Sequence, residues 1–331
     1  MLKTHQEILS ESELRNVIPS YAKILDKRIQ PQLDFFSREF MEQACIAILG
    51  SSNKDISMTS IHYQQEANIV NDNLIELNNL DNIQKISAST KPCFVSLFII
   101  VPGVGHCLRV NGTLENFNNQ KGLLTIKEVY FHCARAAARS EFWGESKRIS
   151  NLELTADNIL KHSPYVLLKT MNHADQTELS PRGDEPGFIQ TIDSNTLFMP
   201  ERPGNKVAIS LRNIINNPNI ELLIIVPGYS HTQNIYGCAY VTTDKDLLKR
   251  CTVNGKQPKA GIVINVIKRT FQRDDALMKS ELWNAKKMID NTTLTAFPKA
   301  LSSHINGTGL MGRATQTIVG AIVKHDMKNL Y

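Results

Sequence analysis

The sequence predicts a mainly β protein with flanking helices (α+β), built from one antiparallel barrel architecture written twice. Three observations carry this. Leu97-Phe98-Ile99-Ile100-Val101-Pro102-Gly103 matches Leu222-Leu223-Ile224-Ile225-Val226-Pro227-Gly228 at an offset of 125, and Gly112 pairs with Gly237 at the same offset. Phe131 through Ser140-Glu141-Phe142-Trp143 matches Phe271 through Ser280-Glu281-Leu282-Trp283 at an offset of 140, so the two tryptophans fall at corresponding points. Short apolar segments of strand length are separated by turn residues, the pattern of an antiparallel barrel. A repeat this long is a duplicated domain, because solenoid units are far shorter. The expected organisation is a first copy over residues 1–150, a second over 151–295, and an extension over 296–331 with no counterpart in the first.

The elements follow in order. Ser10-Glu11-Ser12-Glu13 reads as a capping box opening a helix toward Ile18. A second helix is expected from about Gln32 to Gln43. Cys45–Leu49 is apolar and strand-like, followed by a turn over Ser51-Ser52-Asn53-Lys54-Asp55. The spacing predicts a helix over Tyr130–Trp143, with Phe131, Ala134 and Ala138 on one face and His132, Arg135, Arg139 and Trp143 on another. The second copy reads as a helix near Thr155–Lys161, a strand at Tyr165–Lys169 and a turn near Asn172-His173-Ala174-Asp175. A strand pair split by Asp193-Ser194-Asn195 follows, then a helix at Ser210–Asn216 that ends before Pro218. Ile220–Val226 is a buried strand, Val226-Pro227-Gly228-Tyr229 a turn, and Ile235–Thr242 the returning strand. Thr315–Lys324 reads as a closing helix.

Composition narrows the function. A length of 331 residues allows about two domains, and 42% hydrophobic content supplies ordinary cores. The net charge of +5 comes from scattered Lys and Arg, which suits anionic small ligands and speaks against a nucleic-acid face. Six cysteines without a CxxC pair suggest reduced thiols in a cytoplasmic protein, and Met1–Gln6 shows no signal-peptide hydrophobic stretch. The longest apolar runs, near Phe94–Val101 and Leu222–Val226, fall far short of the ~20 residues of a membrane helix, so no membrane partner is expected. Nine histidines include no HxxxH or HxH pair, and no GxSxG elbow or Walker loop occurs, so no metal site is expected.

The richest chemistry lies in the second copy. Ser180-Pro181-Arg182-Gly183-Asp184, Pro200-Glu201-Arg202-Pro203-Gly204-Asn205-Lys206 and Ser210-Leu211-Arg212-Asn213 bring three arginines and a lysine within 34 residues. Arg forks and amides near a helix N-terminus suit a phosphate monoester, and Gly183 and Gly204 permit close backbone approach. The alternative is a set of solvated surface arginines. Asp184 and Glu185 beside Arg182 suggest a salt bridge that orders the loop.

These pieces resemble the FMN-binding split-barrel family typified by pyridoxamine 5′-phosphate oxidase, and within it a subgroup of FMN-dependent flavoproteins. The carrying residues are SPRGDEPGF at Ser180–Phe188, PERPGN at Pro200–Asn205, SLRNI at Ser210–Ile214 and LLIIVPG at Leu222–Gly228. In the first copy they are LRVNG at Leu108–Gly112 and FHCARA at Phe131–Ala136, ending in Arg139-Ser140-Glu141-Phe142-Trp143. The resemblance spans Ile8 to about Trp283. It implies two tandem FMN-binding split β-barrels forming an internal pseudo-dimer.

The copies have diverged in a complementary way. The first has Thr59-Ser60-Ile61-His62 where the second has Ser180-Pro181-Arg182-Gly183, and its polar stretch Asn78–Thr90 holds no PERPGN equivalent. The second has Asn234 in place of Arg109, and Gln272-Arg273-Asp274 in place of His132-Cys133-Ala134. The resemblance therefore implies one composite FMN site; independent drift is the alternative. Ser180, Arg182, Gly183, Arg202, Asn205, Lys206 and Ser210 would bind the cofactor from the second copy, and Arg109, Asn111 and Trp143 from the first. His132 and Arg109 are the catalytic candidates, though His132 also reads as a solvated or core imidazole, and Cys133 as a packing residue. The implied activity is an oxidoreductase step on a small molecule, by a monomer or a homodimer. Two alternatives stand: a haem-binding or haem-degrading split barrel using His132 or His106 as axial ligand, and a non-catalytic flavin-binding protein.

Overall fold

The computed structural model describes residues 6–53, 56–78, 93–118, 121–144, 153–290, 292–307 and 309–331. The expected turn residues Lys54 and Asp55, most of the polar stretch 78–90 and the junction between the copies at 150 lie outside the described residues.

The chain is mainly β with flanking helices, two tandem split β-barrels. In the first half, β2 (Ile46–Ser51), β3 (Thr59–His62), β4 (Ala67–Asn71), β5 (Leu74–Leu77), β6 (Cys93–Ile100), β7 (Cys107–Asn118) and β8 (Lys121–His132) form a sheet in the order β3-β2-β6-β7-β8-β5-β4. In the second, β9 (Tyr165–Met171), β10 (Thr177–Gly183), β11 (Gln190–Thr191), β12 (Thr196–Pro200), β13 (Asn219–Ile225), β14 (His231–Thr242) and β15 (Gly261–Arg273) take the order β10-β9-β13-β14-β15-β12-β11. Strand for strand the two paths are the same, and all pairings are antiparallel. The jump in repeat offset has a place: the first copy passes from Asn118 to Lys121, where the second inserts a helix, Lys245–Arg250, between Thr242 and Gly261.

The shared glycines mark a shared bulge. Register shifts between Asn111 and Gly112 in one sheet, and between Tyr236 and Gly237 in the other. A Cβ on Gly112 would lie 2.0 Å from Thr125 O, and one on Gly237 would lie 2.5 Å from Asn265 O. Only glycine lets the long hairpins bend there.

Among the described residues the α-helices, in chain order, are α1 (Glu11–Val17), α2 (Phe35–Glu42), α3 (Tyr63–Glu66), α4 (Arg135–Arg139), α5 (Ile159–His162), α6 (Ile209–Asn216), α7 (Lys245–Arg250), α8 (Asp275–Ser280), α9 (Phe297–Asn306) and α10 (Leu310–Lys328). Ser10 Oγ accepts Glu13 N at 3.2 Å, but the Glu13 carboxylate takes Leu9 N at 2.8 Å, so the expected box is displaced by one residue. The expected helix Tyr130–Trp143 is corrected: β8 continues to His132, which pairs with Cys107, and only Arg135–Arg139 is helical. The Val129-Tyr130-Phe131 run favours the pleat, where aromatic and β-branched side chains pack well. The helix expected near Thr155–Lys161 is shorter, Ile159–His162, and follows a turn in which Thr155 N donates to Asn158 Oδ1 at 2.8 Å. The closing helix extends well beyond Thr315–Lys324 in both directions.

The halves interlock. A short strand, β1 (Glu7–Ile8), pairs with β14 across the sequence, and Ile8 and Leu14 enter the second barrel's core. Leu294 and Ala300 enter the first barrel's core, with Ile289 and Phe297 packed against it. A third core lies between the barrels, where Ile46, Phe98, Ile100 and Phe142 meet Tyr165, Leu167, Leu223 and Trp283. The contacts across it are reciprocal: α4 packs on β10, and α8 on β3. Arg109 Nη1 donates to Leu179 O at 2.5 Å, and Asn234 Nδ2, at the equivalent position, donates to Met58 O at 3.0 Å. These paired bonds are what an internal pseudo-dimer requires. Among the described residues, no helix is long and apolar enough to cross a membrane.

Candidate functional site

The loop after β12 borders a cavity of about 530 Å³. Its walls come from three separated segments, Val17–Pro19, Glu201–Ala208 and Lys256–Ala260, together with Tyr331. Lys206, Lys256 and Lys259 are exposed there, and Arg202 lies behind them. Val17, Ile18 and Ala260 supply apolar wall. Two non-glycine residues of this loop sit in the left-handed region, Lys206 at φ 64° and Ala208 at φ 56°. Such positions cost ~1–3 kcal/mol each and persist where the surroundings or a function enforce them. Arg15 enforces them here: its Nη1 donates to Lys206 O at 2.8 Å and its Nη2 to Val207 O at 3.2 Å. Ala208 leaves the N-terminus of α6 without a side-chain cap, so its first amides have no side-chain acceptor.

The residues expected from sequence divide into three groups. Arg202, Asn205 and Lys206 line the cavity. Arg182, Ser180, Gly183 and Ser210 stand behind it. Arg202 Nε donates to Asp184 Oδ2 at 2.5 Å and its Nη1 to Cys251 O at 2.8 Å. Arg182 pairs with Glu201 at 3.2 Å. The expected Arg182–Asp184 bridge is thus replaced by two bridges crossed between the strand and the loop. Ser180 and Ser210 are buried. Gly183 is needed for close approach, but to protein: a Cβ there would lie 2.0 Å from Ala136 O of α4. A Cβ on Gly204 would meet open space.

The third group lies in the seam between barrels. Arg109 is 1% exposed, pairs with Glu178, and lies 4.6 Å from the Tyr130 ring centre. Asn111 Nδ2 donates to Glu128 at 3.0 Å and to Glu178 at 3.2 Å, while its Oδ1 accepts from Ser96 Oγ at 2.8 Å. Burial raises the Glu178 carboxyl despite the Arg109 charge. Trp143 Nε1 donates to Val104 O at 3.0 Å and does not line the cavity. His132 Nε2 is enclosed without a partner, and burial, with the charges of Arg109, Arg28 and Arg182, depresses the ring well below the ordinary imidazole range. His106 packs against Phe40, Phe131 and Phe297, and burial lowers it to about 4. Neither imidazole lines the cavity.

The first copy does reach the loop, through α4. Arg135 Nη1 donates to Pro203 O at 3.1 Å and Arg139 Nη2 to the same oxygen at 2.5 Å. Both arginines had been placed on one basic face by the sequence, although that face is one short helix turn. Sequence reading missed Lys256, Lys259 and Tyr331. The lysines lie in the segment that has no counterpart in the first copy, where the repeat gives no guide.

No family model and no curated protein matches the chain. Among solved structures, HupZ of Group A Streptococcus overlaps 37% of this chain and 95% of its own, at 16% identity and a TM-score of 0.31. A putative pyridoxamine 5′-phosphate oxidase from Lactobacillus delbrueckii overlaps 37% and 97%, at 21% identity and a TM-score of 0.28. The General Stress Protein 26 from Bacillus anthracis overlaps 36% and 95%, at 18% identity and a TM-score of 0.26. Overlap of this degree carries no statement about activity.

Proposed function

We propose that the chain is an FMN-dependent oxidoreductase of the pyridoxamine 5′-phosphate oxidase-like kind, holding one FMN per chain and acting on a small molecule. The observation that carries this reading is the cavity beside the Arg202–Ala208 loop. Its volume falls within the ~300–1,000 Å³ of small-molecule sites. Its lysines, the uncapped α6 N-terminus and its apolar wall suit a ligand with a phosphate at one end and a flat ring system at the other. In this reading Lys206, Asn205 and the Ala208 end of α6 hold the phosphate. Arg202 and Arg182, each facing a carboxylate, keep the loop in place. Arg135 and Arg139 tie that loop to the first copy, so a single chain completes the site. Flavin, when bound, supplies the two-electron chemistry, and the protein supplies binding and orientation. The proposed units are the copies 1–150 and 151–295 with the extension 296–331.

The test is titration of the apoprotein with FMN and riboflavin. One FMN per chain is expected. Lys206→Ala should raise the Kd for FMN about tenfold, equivalent to ~1.4 kcal/mol, and leave riboflavin within about twofold. Two equivalent sites, no binding, or equal weakening of both ligands would overturn the reading. A yellow protein that turns over no reductant would leave a flavin-binding protein without catalysis.

A further inference from the structure

The cations that face the loop are already engaged by a distant piece of the same chain. Tyr331 Oη donates to Asp184 Oδ1 at 2.6 Å. Its ring centre lies 5.2 Å from the Arg202 guanidinium and 5.8 Å from that of Arg139. Arg139 Nε donates to Leu330 O at 2.7 Å, and Lys256 Nζ donates to Tyr331 O at 2.8 Å. Asp326, at the end of α10, pairs with Arg135. Tyr331 is also part of the cavity wall. The phenol is held as a donor, because burial and the Asp184 carboxylate both raise it above its ordinary range.

We propose that Asp326–Tyr331 is an intramolecular strap that closes the cavity against anionic ligands and must shift for one to enter fully. The anchors favour release over permanence. Asp326, Leu330 and Tyr331 are only half-buried, and the segment is held by polar contacts to a few cations rather than by core packing. Segments with few apolar contacts open at low free energy. An anion entering the cavity competes for Lys256, whose ammonium holds the Tyr331 carbonyl, and meets Tyr331 itself in the wall. Strap and ligand are then linked reciprocally: each weakens the other.

For its ligand the inference rests on the flavin reading, so two probes are used on the full chain, FMN and inorganic phosphate. Tyr331→Ala removes the ring and the Asp184 bond, and Asp326→Asn removes the anchor on Arg135. Both variants should bind both probes about tenfold tighter than wild type. Hydrogen exchange of residues 326–331 in wild type should become faster when FMN is added. Tighter phosphate binding in the variants with no FMN binding anywhere would keep the strap and remove the flavin reading. Unchanged FMN affinity, or slower exchange at 326–331 on FMN addition, would remove the strap and keep the flavin site. If neither probe binds any form, both fall.

Discussion

Replacing Arg109 by Met should cost the protein ~4 kcal/mol, and the structure shows where that comes from. Arg109 is 1% exposed, and its guanidinium is shared between the Glu178 carboxylate and the Leu179 carbonyl, with the Tyr130 ring beside it. Removing one partner of a buried ion pair leaves an uncompensated charge, worth ~3–5 kcal/mol. The lost bond to Leu179 O adds ~1 kcal/mol, and the contributions overlap because they share one group. Tyr130 Oη, at 3.0 Å, and Asn111 still donate to Glu178 and offset part of the loss. Removing both charges with Arg109→Met and Glu178→Leu should recover ~2–3 kcal/mol of it. The assay is urea unfolding at neutral pH. With a slope of ~3 kcal/mol/M, the single variant moves the midpoint down by more than about 1 M. The equivalent residue in the other half, Asn234, makes neutral bonds to Met58 O and a bond to Glu221 at 2.8 Å, so Asn234→Ala should cost only ~1–2 kcal/mol. If the Arg109 and Glu178 substitutions simply add, or Arg109→Met costs less than Asn234→Ala, the seam is not held as described.

Two further outcomes follow from the same structure. Gly183→Ala drives a Cβ to within 2.0 Å of Ala136 O, so it should cost ~3 kcal/mol or more and loosen α4 from β10, whereas Gly204→Ala, with open space around it, should be neutral within ~0.5 kcal/mol; thermal melts of the two variants give the comparison, and equal melting temperatures would show that the contact relaxes freely. His106 is lowered to about 4 from an ordinary value of 6.5, so in that window the unfolded chain binds the proton that the folded chain refuses, and stability falls as pH drops from 6.5 toward 4. Wild type should therefore lose stability relative to His106→Phe across that window, the raised Glu178 carboxyl having the opposite sign but cancelling in the difference; a pH-independent difference would contradict the burial of His106.

Much of the fold was legible because duplication prints it twice. The matching Gly112 and Gly237 sit at a bulge shared by both sheets, and the strand-length apolar runs became strands β6 and β13 inside the sheets. The misreading at Tyr130–Trp143 shows the limit of periodicity. Phe131, Ala134 and Ala138 have helical spacing, yet the first belongs to a strand and the other two to the turn and helix that follow. Site residues were harder. Arg109 and Asn111 alternate along a strand and so share a face, but whether that face meets a ligand or a second barrel depends on Glu178, which lies far away in sequence. Adjacency suggested Arg182 for Asp184, whereas the loop brought Arg202. Tyr331 left no local trace, because its partners at 139, 184, 202 and 256 are assembled only by the tertiary fold.

The exchange of terminal segments between the barrels has a consequence for how the chain is made. A ribosome releases the first barrel's strands long before Leu294 and Ala300, which fill its core. It releases Glu7 and Ile8 long before Val241 and Thr242, which pair with them. The first half cannot reach its final packing as it emerges, so its nascent sheet waits with part of its apolar face uncovered, the condition in which growing chains recruit holdases or misassociate. Loop closure over more than two hundred residues must precede the last contacts, which places this protein among slow folders despite its short-range hairpins.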